Sequence, residues 1–199
     1  MENYVITISR QYGALGRSVS QVLSRILGIE FWDRDIVEEA AARMGQSLHS
    51  VSDMEEREKR SLFSVRRKLS TPNSASYSIN DELFHTESNI IRDAVVDSSC
   101  IIVGRCGDYV LRDHPRKLSV YLYASMEKRI EYCMTSFDMD AKASEKKIRE
   151  IDQARSNYRR RYTSGLGEQD LQDMMLDSGR FGVQGTAEII ADTAKKLFF

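Results

Sequence analysis

Residues 5–19, VITISRQYGALGRSV, decide how the rest of the chain is read. Val5, Ile6, Thr7 and Ile8 form a β-branched run without polar alternation, which suits a parallel strand covered on both faces. Gly13 and Gly16 can take backbone angles closed to other residues, so a tight turn is expected between them. Ser18 then opens a segment with Val19, Val22, Leu23, Ile26 and Leu27 at helical spacing.

Strand, glycine turn and helix, in that order, form the layout of a phosphate-binding loop. A helix N-terminus presents unpaired N–H groups and a partial positive charge, so phosphate oxygens are good ligands for it. Set against the pattern G-x-x-x-x-G-K-[ST], residues 11–18 read Q-Y-G-A-L-G-R-S, with Gln11 in place of the first glycine and Arg17 in place of the lysine. Arg17 keeps the positive charge and can bridge phosphate oxygens bidentately, although its planar fork is bulkier than an ammonium. The same residues also fit a glycine turn that only joins a strand to a helix in another α/β fold.

The 199 residues are 41% hydrophobic with two prolines, enough for a single domain with its own core and a helical insertion. A formal net charge of -1 gives no global attraction to nucleic acid or an anionic membrane, so a basic site must come from local clustering. No apolar run approaches membrane-spanning length, and the start of the chain lacks the apolar core of a signal peptide. Cys100, Cys106 and Cys133 are odd in number and lack C-x-x-C spacing, which fits a reducing cytoplasm and neither a disulfide framework nor a zinc site. His49, His85 and His114 are scattered and read as surface or capping residues.

Further along, Gly28 is a helix C-cap candidate, and Ile29, Phe31 and Trp32 form a short strand ending at Asp33. Ligands of open α/β sheets bind beyond the carboxyl ends of the strands, so Asp33 could hold a metal-bound water or an acceptor group. It could equally cap a helix from Arg34 to Met44. From Ser47 to Leu69 the pattern is helical and strongly charged, either a solvated face or a mobile lobe, and Ser70–Ser78, STPNSASYS, reads as an exposed loop or hinge. Asp81–Val96 returns to a helix, which offers a dimer face. Cys100–Val103 is a buried strand run ending in Gly104 and Arg105, with no acidic residue at its end. The forked donors of Arg105 suit a phosphate or a base edge, or a salt bridge to Asp108 or Asp33.

Leu118–Tyr123 is another strand, Ser125 caps the helix that follows it, and Ala143–Arg161 is a long polar helix. Arg155 and Arg159 share a face of that helix, and like charges at this spacing repel unless something anionic lies opposite. Polyphosphate would serve, and so would Glu145, Glu150 or Asp152. Leu171–Asp177 holds a last strand, followed by a closing helix through Ile189, Ile190 and Leu197. The arginine tract lacks interleaved aromatic platforms apart from Tyr158 and Tyr162, which speaks against an RNA partner.

Taken together, ITISRQYGALGR, GIEFWDRDIV, IIVGRCGDYVLRDHP, VYLYASMEKRIE, DQARSNYRRRYT and LDSGRFGV resemble the cytidylate-kinase-like branch of P-loop nucleoside monophosphate kinases, nearly end to end. That branch characteristically begins its phosphate loop S-R-Q-Y-G and carries arginine in place of lysine. The resemblance implies a three-layer α/β/α fold on a five-stranded parallel sheet, a helical acceptor-side insertion over 34–97 and an arginine-bearing lid over 138–170. It places ATP phosphates at Gly13, Ala14, Leu15, Gly16, Arg17, Ser18 and Val19, Mg²⁺ near Ser18 and Asp33, and the acceptor at Asp33 and Arg105. Arg17, Arg155 and Arg159 would carry catalysis. The implied reaction is phosphoryl transfer from ATP to a nucleoside monophosphate, CMP or a related pyrimidine nucleotide, in a cytoplasmic enzyme with small-molecule partners and neither nucleic acid nor membrane. One departure is visible: the family often has a lysine- and tryptophan-bearing segment after Tyr-Thr-Gly, whereas Thr163 here leads into SGLGEQ. A kinase for another small acceptor and a catalytically silent nucleotide-binding protein remain the alternatives.

Overall fold

A computed structural model describes residues 2–47, 79–167 and 169–199. Apart from Ser47, the charged segment to Leu69 and the loop Ser70–Ser78 lie outside the described residues. The chain divides into two compact units, Met1–Asp33 with Ile91–Phe199, and Arg34–Ile90.

The first unit is built on a parallel sheet of five strands, β1 (Val5–Arg10), β2 (Glu30–Trp32), β3 (Cys100–Val103), β4 (Lys117–Tyr123) and β5 (Met174–Asp177), in the order β2-β3-β1-β4-β5. Ile8 lies level with Val103 on one side and Val120 on the other. All four residues of β3 are buried, as the unbroken apolar run Cys100–Val103 requires. Ile6, Ile8, Ile101, Val103, Leu118, Val120 and Leu122 share one cluster with α1 (Gly16–Leu27) and α7 (Ser178–Phe198), through Val19, Leu23, Ile190 and Ala194. The opposite face carries Thr7, Ile102 and Ser119. Gly107, at the head of the short α4 (Gly107–Val110), lies so close that a Cβ there would come within 2.7 Å of Ile102 Cγ2. The Thr7 hydroxyl donates to Ser119 Oγ at 3.0 Å, so the two buried polar groups on this face satisfy each other.

Two long helices complete this unit, α5 (Met126–Phe137) and α6 (Ala141–Tyr162), and they pack on each other. Ser125 caps α5 by accepting the Lys128 N–H, and Asp140 caps α6 by accepting that of Ala143. Gly28 ends α1 in the left-handed conformation at φ 65°. In the second unit, α2 (Arg34–Arg43) buries Ile36, Val37, Ala40 and Ala41, and the first part of α3 (Ile79–Asp97) buries Leu83 and Ile90.

Two expectations are corrected. Helix α1 begins at Gly16 rather than Ser18, and the left-handed residue before it is Leu15, at φ 58°. Gly13 does use the freedom of glycine, at φ +80°, but Gly16 does not; a Cβ there would meet Arg10 Cγ at 2.8 Å. The second glycine is therefore needed for room.

Candidate functional site

In the sheet order, β1 sits between the strands that the chain reaches on either side, so the crevice beyond its carboxyl end is the natural ligand position. Residues 11–15 fill that position. The carbonyls of Arg10, Gln11, Tyr12, Ala14 and Leu15 are turned onto protein donors. The Arg10 carbonyl accepts from Arg155 Nη1 at 2.9 Å, that of Gln11 from the Ala14 N–H at 3.3 Å, and that of Tyr12 from Arg129 Nε at 2.7 Å. The Ala14 carbonyl takes the Ser178 hydroxyl at 2.8 Å and that of Leu15 takes the Val19 N–H at 2.9 Å.

The amides divide differently. Gln11 N–H reaches the Leu122 carbonyl at 3.0 Å and Tyr12 N–H reaches Asp152 Oδ1 at 2.7 Å. Among the described residues, no protein acceptor takes the N–H of Gly13, Leu15, Gly16, Arg17 or Ser18, and no side chain caps α1. A run of unclaimed donors at a positive helix end, with its oxygens held elsewhere, suits an anion. Gln11, where the pattern has glycine, ties the loop to the end of β4, because its Oε1 accepts the Ala124 N–H at 3.2 Å.

Two flanking cations converge on Asp33. Arg10 Nη2 lies 3.4 Å from its Oδ1, and Arg17 Nη1 lies 3.6 Å from its other oxygen. Asp33 is 14% exposed and Arg17 54%. Arg10 also runs past two glycines: a Cβ on Gly104 would fall 2.0 Å from its Nη1. Arg105 follows in a turn where Gly104, Arg105 and Cys106 all have positive φ (77°, 52° and 52°). Two adjacent non-glycine residues in that region mark stored backbone strain of the sort found at ligand sites. Arg155 stands over the Tyr12 ring, 5.8 Å from its centroid. Arg155 is thus tied to Arg10 through its carbonyl and Arg17 through the shared Asp33, while Arg105 follows Gly104, the glycine against which Arg10 lies.

Arg159 is elsewhere. Its guanidinium, expected beside that of Arg155 at the phosphates, is buried on Asp108, with Nη1 2.9 Å from Oδ1, and its Nε donates to the Gly167 carbonyl at 2.6 Å. Asp108 accepts Gln172 Nε2 at 2.8 Å through its other oxygen. The two arginines share a face of α6, but that face spans from the loop to α4, and each end meets a different acceptor. Beneath α6 a cleft of about 330 Å³ is lined by Gln11, Tyr121, Asp152, Ser156, Arg160 and Gly167, among others. Sequence reasoning passed over Arg10, Arg129 and Asp108 as site residues and weighed Asp152 only as a counter-charge. No spacing rule marks them, since their roles arise where separate elements meet.

For a divalent ion, Ser18 offers a half-buried hydroxyl in the first turn of α1, and Asp33 offers a carboxylate already shared by two guanidinium groups. Among the described residues there is no group of three or more His, Cys, Asp or Glu that could form a cage. Such a sparse oxygen set fits Mg²⁺, which keeps water and substrate phosphates as most of its ligands. No helix among the described residues is long and apolar enough to cross a membrane.

Fold and loop together define the class: an α/β protein with a phosphate-loop layout at the carboxyl edge of a parallel sheet. The chain belongs to the cytidylate kinase-like family, whose profile matches residues 5–180. Among solved structures it is similar to an uncharacterized protein from Eubacterium ventriosum ATCC 27560, with a TM-score of 0.73 and 18% identity over 97% of this chain and 99% of that one. It is also similar in fold to shikimate kinase from Acinetobacter baumannii in complex with shikimate (TM-score 0.57, 13% identity, 98% and 94% coverage). A gluconokinase from Sinorhizobium meliloti 1021 is a third such structure (TM-score 0.55, 12% identity, 98% and 96% coverage). Among curated proteins, none matches the sequence. Family and fold support a phosphotransferase.

Proposed function

We propose that this protein transfers the γ-phosphoryl group of ATP to a nucleoside monophosphate, with CMP or a related pyrimidine nucleotide as acceptor. An oxygen of the acceptor phosphate forms the new bond to the γ-phosphorus, the bond to the β,γ-bridging oxygen breaks, and ADP leaves. The observation that carries the reading is the loop itself, with the carbonyls of Gln11, Tyr12, Ala14 and Leu15 claimed by the protein and the amides of Gly13 and Leu15–Ser18 left for an anion. Such transfers ask little covalent chemistry of a protein; positioning and charge neutralisation supply most of the effect.

Gly13, Ala14, Leu15, Gly16, Arg17, Ser18 and Val19 would cradle the donor phosphates. Arg17 and Arg155 would neutralise charge on the transferring group, while Asp33 and Arg105 place the acceptor. Ser18 and Asp33 would hold Mg²⁺, which when bound neutralises charge on the phosphate oxygens. The lid region 138–170, which includes α6, would exclude water. Arg159 would serve by pinning that helix rather than by touching phosphate.

The test is ADP release from MgATP with a panel of nucleoside monophosphates and small hydroxylic metabolites. Turnover with CMP or dCMP, abolished by Arg17→Ala in a protein that still melts cooperatively, is expected. Turnover only with a hydroxylic metabolite would favour a different acceptor class, ATP binding with no turnover on any acceptor would favour a silent nucleotide-binding role, and unchanged turnover in Arg17→Ala would count against the assignment.

A further inference from the structure

The Tyr12–Gly13 peptide is gripped from outside the loop. Arg129 Nε donates to the Tyr12 carbonyl at 2.7 Å from α5, while Asp152 Oδ1 accepts the Tyr12 N–H at 2.7 Å from α6. Arg129 and Asp152 are paired with each other through Nη2 and Oδ2, which closes a ring of bonds around the Tyr12 backbone. Arg129 is 5% exposed and Asp152 29%. Helix α5 also approaches directly: a Cβ on Gly13 would meet Arg129 Cβ at 3.1 Å and its carbonyl oxygen at 3.2 Å.

The consequence lies in the planarity of the peptide. In a trans unit the C=O and the following N–H point in opposite directions, so a donor that fixes the Tyr12 carbonyl also fixes the direction of the Gly13 N–H. No described residue accepts that N–H, and it is the first unclaimed amide of the loop. Glycine at φ +80° has little of its own to hold this plane against rotation. Asp152 in turn holds the guanidinium that does the holding and balances its charge beside the anion site.

We infer that Arg129 and Asp152 are positioning residues for donor binding, aiming the Gly13 N–H at the polyphosphate through the Tyr12 peptide. The inference rests on the phosphate-transfer reading above. Arg129→Lys keeps the charge but lacks the fork needed to bond the Tyr12 carbonyl and Asp152 together. Asp152→Asn keeps an acceptor for the Tyr12 N–H but withdraws the charge that holds Arg129. Each variant should raise the KM for ATP and weaken inorganic tripolyphosphate binding, read by calorimetry, by about tenfold, with kcat changed less than about threefold. A residue needed only for folding would lower the active fraction, and hence apparent kcat, with KM unmoved. Unchanged KM and tripolyphosphate affinity in a cooperatively melting variant would overturn the inference while leaving the function standing. Wild-type protein that binds neither ATP nor tripolyphosphate would overturn both. Should Arg129→Lys fail to fold, the more exposed Asp152→Asn carries the same reading.

Discussion

Arg159 meets Asp108 with two nitrogens, Nη1 2.9 Å from Oδ1 and Nη2 2.8 Å from Oδ2, and the two side chains are 5% and 0% exposed. A pair so far from water has given up its hydration, so removing one partner strands the other charge. Arg159→Met or Asp108→Leu alone should cost about 3–5 kcal/mol in urea unfolding, whereas the double variant should recover part of that loss, the rest staying with the Gly167 carbonyl and Gln172, which lose their partners too. A double variant as unstable as the singles would show that the stranded charge is not what makes the single variants unstable.

Gly104 has two independent reasons to be glycine. Its φ is +77°, and a Cβ would sit 2.0 Å from Arg10 Nη1. Gly104→Ala should therefore cost about 1–2 kcal/mol from the left-handed backbone, with a smaller part from displacing the end of the Arg10 side chain. Arg10→Ala removes the second part only. The double-mutant cycle should show Gly104→Ala costing less in the Arg10→Ala background, and strict additivity in the melting data would mean that the contact contributes nothing.

The parts of this molecule that follow local rules are legible in the residues alone. The β-branched run Val5–Ile8 and the apolar run Cys100–Val103 form central strands, and Ser125 and Gly28 cap helices where their chemistry says they should. What escapes such reading is whatever depends on two elements meeting. Gly16 reads as conformational freedom but serves to admit Arg10. The shared face of Arg155 and Arg159 follows from helical spacing. Nothing in that spacing says that one reaches the Arg10 carbonyl and the other Asp108.

Asp33 holds Arg10 and Arg17 at 3.4 and 3.6 Å, long distances for ion pairs, and the Arg17 side chain is 54% exposed. Such pairs contribute little to folding. Asp33→Asn should lower the melting stability by no more than about 1 kcal/mol. It removes the carboxylate that both guanidinium groups share, so turnover with MgATP and the acceptor should fall by about tenfold or more. Turnover equal to wild type in a folded Asp33→Asn would take Asp33 out of the proposed acceptor and metal roles.

The buried thiol of Cys100 makes the fold sensitive to alkali. Burial, with Glu30 adding to it, pushes the thiol from 9.0 up to about 12. A raised native value means that below pH 9.0 the thiol is protonated in both states and its contribution is fully present; between 9.0 and about 12 the unfolded chain releases the proton first and stability is lost. The full span corresponds to about 4 kcal/mol. Burial raises Tyr4 as well, which acts in the same sense. Lys117 acts in the opposite sense: burial lowers its value, so the charged form costs stability that returns as the pH approaches 10.5. That contribution is smaller, because Lys117 is only half-buried and is screened. Net stability from urea titrations should fall above pH 9.0, and Cys100→Ala should flatten the fall while costing about 1 kcal/mol at neutral pH for the lost side-chain volume. An identical alkaline slope in Cys100→Ala would assign the loss to other groups.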